Sequence, residues 1–161
     1  MNVTLTGEET SLTVTFIGTY QQGTVTKTIT EDVQVVVTMM YENFESGGEA
    51  YLKDDDAVGI EYWAEFQPNA DDPHRENYNF TVDALIGLWY DTDGSLLETF
   101  NVTEDLSTIN WEYDADLGIY RFTYTGTTAY QAGAAALKIQ LNIIDTTTGT
   151  GYYTTSDNIF Y

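Results

Sequence analysis

The chain has no cysteine, two prolines, a single histidine and only five basic residues among 161. Without cysteine there is neither a disulfide framework nor a thiolate metal site. With one imidazole, a hydrolytic triad or a zinc or iron centre would have to be built on His74, and such metal centres ordinarily need more than one nitrogen or sulfur ligand. Five bases stand against 26 acids, a formal net charge of −21. That balance repels phosphate backbones and anionic lipid, so neither nucleic acid nor a membrane is an expected partner. No apolar run reaches membrane-spanning length. The opening "MNVTLTGEET" has no basic region and no apolar segment, so no signal peptide is expected there. No stretch has a helical period of 3.6.

What is present is apolar residues, aromatics and acids. Hydrophobic residues make up 42% of the chain, enough for a packed core, and the length suits one domain over 1–161. A split into two small sandwiches would fall near 67–77, which holds both Pro68 and Pro73 and no alternation. The acids run from Glu8 to Asp157 and do not form a tail. Such a surface strains a compact fold in dilute buffer, but at molar salt the Debye length falls to about 3 Å and the repulsion is screened. In this respect the chain resembles proteins of extreme halophiles.

Period-2 alternation dominates. Leu12, Val14 and Phe16 share one side of "SLTVTF"; Val33, Val35, Val37 and Met39 share one side of "DVQVVVTMM". "AVGIEYWAEF" puts Val58, Ile60, Tyr62, Ala64 and Phe66 inward and Glu61, Trp63 and Glu65 outward. "TINWEY", "GIYRFTY" and "ALKIQLNI" repeat the pattern, and the nearly continuous "VDALIGLWY" reads as a central strand buried on both sides. "ESGGE", "QPNADDPH", "DTDGS", "DADLG" and "DTTTGTG" read as turns. "TEDLS" suits one helical turn capped by Thr103. The expected fold is an all-β antiparallel β-sandwich, immunoglobulin-like or jelly-roll, of about ten to twelve strands.

The candidate chemistry is sparse. Asp91, Asp93 and Ser95 fit the first positions of a calcium loop, but the glycine position is then Leu96 and the bidentate position Val102, so the register fails and a hairpin turn is the better reading. Asp54, Asp55 and Asp56 offer hard oxygens to Ca2+ or Mg2+, yet three adjacent side chains converge on one ion only if the loop bends sharply. With Asp91 and Asp93 they are the candidate sites for a weakly bound ion; no cofactor is otherwise expected. His74, with Asp71, Asp72 and Glu76, reads as an exposed loop histidine, and no nucleophile elbow partners it. No catalytic residue is assigned and no enzyme is expected. Trp63 and Trp89 fall off the main apolar register of their strands, and Tyr152, Tyr153, Phe160 and Tyr161 crowd the C-terminus. These six form the candidate interface or ligand platform. The terminal "DNIFY" suggests an end tied down, for instance against a neighbouring subunit. Sequons at Asn2, Asn79 and Asn101 matter only where a glycosylation system is met.

From "LWYDTDGSLLETF" through "DADLGIYRFTY" to "AGAAALKIQLNI", about half the chain resembles immunoglobulin-like modules of tailed-virus tail, baseplate and decoration proteins. With the halophile-type charge, the whole resembles a β-sandwich structural protein of a haloarchaeal virus particle. The resemblance implies no catalytic residues. It implies a homo-oligomer in contact with other virion proteins, located in a virion assembled in the host cytoplasm. The alternative is a carbohydrate-binding or adhesin-like module, calcium-assisted, at the cell surface and binding cell-surface glycan through Trp63 or Trp89. A pilus or surface-layer subunit is a third expectation.

Overall fold

The computed structural model describes residues 11–22, 25–36, 41–54 and 56–160. Contacts divide the chain into two units, Met1–Met40 and Tyr41–Tyr161. One domain over 1–161 was the expectation; the stretch 67–77, its alternative split point, lies inside the second unit, at the end of one strand and in the loop to the next.

In the first unit, β1 (Ser11–Gln22) and β2 (Val25–Val36) form an antiparallel two-stranded sheet. The register runs unbroken from Ser11↔Val36 to Gln22↔Val25 and pairs Leu12 with Val35 and Val14 with Val33. Val37 and Met39 lie outside the described residues.

The second unit has eight strands: β3 (Tyr41–Asp54), β4 (Ala57–Pro68), β5 (Phe80–Tyr90), β6 (Leu96–Asn101), β7 (Asn110–Asp114), β8 (Ile119–Ala129), β9 (Ala136–Asp145) and β10 (Thr150–Thr155). They form two antiparallel sheets, β3-β4-β8-β7 and β10-β9-β5-β6, packed over one core. This is the strand order of an immunoglobulin sandwich and not of a jelly roll. The core joins Ile60, Phe66 and Phe122 of the first sheet to Leu85, Trp89, Leu141 and Ile143 of the second. Phe66 and Phe80 meet across the layers at 5.1 Å, edge to face.

The alternation read from sequence sets most of this. Val58, Ile60, Tyr62, Ala64 and Phe66 are all buried, and Glu61 and Trp63 point out. β5 differs from expectation. It is central, but its second face is only half-buried, and its pairing with β9 slips between Val82 and Ala84. The bulge at Asp83 reverses the side that meets the core. Phe80 is buried before it; Leu85 and Trp89, of opposite parity, are buried after it. "ESGGE" is not a turn: Ser46, Gly47 and Gly48 lie mid-strand in β3, opposite Ala64, Trp63 and Tyr62. The short helical turn is a 3-10 turn over Leu106–Thr108, and its cap is Asp105, whose carboxylate accepts from Ser107 N; Thr103 instead accepts from Asp105 N.

At each long edge of the sandwich a stretch of chain crosses between the sheets. On one, β6 and β7 are short, and the segment 102–109 crosses between sheets, pinned by buried Val102 and Ile109. On the other, the C-terminal segment follows β9, with Ser156 N donating to Ile139 O and Ile159 N to Leu137 O, then bridges to β3 where Ala50 N donates to Ile159 O.

Candidate functional site

The carboxylates act first as turn-formers. Asp54, Asp72, Asp91, Asp105, Asp114 and Asp145 each accept, through Oδ1, the main-chain N–H two residues ahead. This bond is what makes aspartate favourable in a turn. Asp91 also accepts from Ser95 N, so the "DTDGS" carboxylate is committed to its hairpin. Asp54 and Asp56 flank the β3–β4 turn and are exposed, as is Asp93; Asp55 lies outside the described residues. The topology puts the 54–57 and 91–95 turns at the same end of the sandwich. No group of three or more His, Asp or Glu suited to a metal occurs among the described residues.

At the opposite end, the loop 69–79 holds the histidine. Asp71, His74 and Glu76 are exposed, whereas Asp72 is buried. Its carboxylate accepts from Tyr78 Oη at 2.6 Å and from His74 N at 2.8 Å. Tyr120 Oη accepts from Tyr78 N and donates to Arg75 O, both at 3.0 Å. Burial, then the bond to Asp72, pushes the Tyr78 hydroxyl far above its ordinary pKa. The loop is thus fastened to the sandwich through main-chain and phenol groups, and the imidazole ring takes no part in that fastening.

The aromatic candidates separate. Trp89 is 1% exposed, packed against Phe100, Tyr130 and Phe160, so it cannot be a platform. It occupies the third strand of the sandwich, where immunoglobulin domains also bury a tryptophan. Tyr152 packs on Tyr41, Phe66 and Phe80. Phe160 stacks on Tyr130 and bridges to Ala50 of β3. Tyr161 lies outside the described residues. Trp63 and Tyr153 remain exposed, at 39% and 70%.

Trp63 sits on the outer face of the β3-β4-β8-β7 sheet, in the row Gly47–Trp63–Thr123–Asn110. A Cβ on Gly47 would come within 2.9 Å of the indole Cζ2, so the ring lies down over that glycine. Tyr51 does the same over Gly59, where a Cβ would approach Cζ to 2.7 Å. Between them runs the row Glu49–Glu61–Thr125. On the far side of Trp63 runs Glu45–Glu65–Arg121–Glu112, in which Arg121 Nε and Nη2 both reach Glu65 Oε1 at 2.9 Å. Glu49, Tyr51 and Gly47 were missed in the sequence because "ESGGE" hid β3. The usable signal was an acid–glycine–aromatic spacing of two along 45–51, the same period as its partner strand.

No family model matches the chain, and no curated protein and no solved structure matches it.

Proposed function

We propose that the chain is a structural subunit of a halophilic archaeal virus particle, a capsid decoration, turret, tail or baseplate component. It works by self-assembly and lattice contacts, not by catalysis. The observation that carries this reading is where the acids lie on a packed sandwich. Among the described residues of the second unit only Asp72 and Asp145 are buried acids, and both are committed to turns. The other described carboxylates of the second unit face solvent or are half-exposed, as a protein built for brine requires. The carboxylate turns and fastened loop fit a rigid building block.

The test is mass by light scattering of the full chain, in molar KCl and in dilute buffer. The expected result is a discrete oligomer at high salt that dissociates or unfolds at low salt. A folded monomer under both conditions would refute the reading.

A further inference from the structure

We propose that the outer face of the β3-β4-β8-β7 sheet binds an arginine- or lysine-bearing segment of a partner protein, seated over Glu49 and Glu61 between the rings of Tyr51 and Trp63. This rests on the assembly reading only in taking the partner to be a protein.

Three features of the face lead to this occupant. First, Glu49 stands directly opposite Glu61, a like-charge cross-strand pair that costs the sheet stability. The neighbouring carboxylate row shows the remedy: there Glu45 faces Glu65, and Arg121 on β8 supplies the guanidinium. In the Glu49–Glu61 row the residue on β8 is Thr125, so β8 supplies no cation there. Second, the row is bounded by two aromatic rings laid flat on the sheet. Tyr51 and Trp63 stand on rows four residues apart, about 13 Å at strand rise. Glycines 47 and 59 let those rings lie flat, exposing a π face beside each carboxylate. A guanidinium or ammonium gains from both: the ring quadrupole attracts it, and carboxylates accept its N–H bonds. Arginine gains more than lysine, because its plane stacks and its fork bridges two oxygens. Third, charge selects against other occupants. Glu45, Glu49, Glu61, Glu65 and Glu112 outnumber Arg121 and the exposed Lys53 at the strand's end. A second copy of this acidic face, or an anionic polymer, is repelled.

The experiment is calorimetric titration of the full chain with a capped glycine–arginine pentapeptide carrying two arginines, at physiological ionic strength and in molar KCl. Four variants are compared: Trp63→Ala, the double Glu49→Gln/Glu61→Gln, Gly47→Ala, and a control Glu98→Gln/Asp116→Asn away from the face. Gly47→Ala keeps every charge and only lifts the indole. The first three should each weaken binding by about tenfold, and the control by less than about twofold. Molar salt should weaken the wild type but leave the loss in Trp63→Ala, since stacking is short-ranged. Absence of binding, or equal losses in all four variants, would overturn the proposal, the latter meaning diffuse attraction to an acidic protein. Saturable binding of a neutral polysaccharide, lost in Trp63→Ala and unaffected by Glu49→Gln/Glu61→Gln, would also overturn it and assign the face to sugar. Assembly in the light-scattering test with no peptide binding would sink this inference alone.

Discussion

Asp145 shows how single residues hold this sandwich. Its carboxylate is 1% exposed and accepts from Thr147 N, Thr148 N, Thr148 Oγ1 and Asn79 N. Burial pushes its pKa up, but those bonds outweigh burial and hold it below the usual carboxylate value. A depressed folded-state pKa gives stability that is complete above the unfolded value, about 4, and is lost as pH falls through the folded one. Asp145→Ala removes the shared acceptor of four hydrogen bonds and should cost about 1–2 kcal/mol in urea titration at neutral pH. It should also flatten the fall in stability below about pH 4 relative to wild type. An unchanged acid limb would remove Asp145 as its source. The tyrosines work the other way. Burial, the largest cause in each case, raises Tyr62, Tyr78, Tyr120, Tyr124 and Tyr152 above their ordinary pKa. Their contribution is complete below about pH 10 and lost as pH rises toward the folded values. Alkaline unfolding should therefore begin above about pH 10, and Tyr78→Phe should make it less steep. The same variant should lower stability at neutral pH by about 1–3 kcal/mol, because buried Asp72 loses its hydroxyl donor. Identical alkaline curves for wild type and variant would contradict this account.

At the scale of elements, β4, β8 and β9 were legible because one face of each is buried and period 2 survives in the residue types. β3 was hidden because its glycines read as a turn, whereas here they make room for rings from the neighbouring strand; that pairing exists only once register is known. Trp89 was misplaced for a similar reason. A single bulge at Asp83 inverts parity, and periodicity alone carries no mark of it. "DNIFY" was legible as a tied-down end, and its partners within the chain are β9 and β3. Asn158 Oδ1 accepts from Leu137 N and Phe160 N, and Ile159 is 2% exposed. Deleting residues 157–161 uncovers Ile159's site and the β3 edge at Ala50, and should cost about 3 kcal/mol or more. Asn158→Ala alone should cost about 1–2 kcal/mol. Both are read as a lower urea midpoint. An unmoved midpoint in the deletion would mean the segment is free to serve a neighbouring subunit, as first expected.

For the molecule as a whole, charge decides the conditions under which the fold is favourable. A net charge of −21, with most described carboxylates of the second unit on the outside, opposes compaction, and among the described residues the one ion pair is Arg121–Glu65. The core is hydrophobic and aromatic, and its contribution also grows in salts that strengthen burial. Screening is long-ranged: the Debye length shrinks from about 10 Å at 0.1 M to about 3 Å at 1 M, so repulsion between separated carboxylates is mostly gone by then. The thermal midpoint should therefore climb steeply up to about 1 M KCl and more gently beyond, by about 2–4 °C for each kcal/mol gained in a chain of this length. All three tryptophans, Trp63, Trp89 and Trp111, belong to the second unit, so their fluorescence follows the sandwich without the hairpin. Sucrose separates the two causes, since it strengthens burial without screening charge. If sucrose reproduces the KCl curve, solvent exclusion and not charge governs the sandwich. If the midpoint is flat from dilute buffer to molar KCl, the acids cost the fold nothing and the argument for a brine-adapted subunit fails with them.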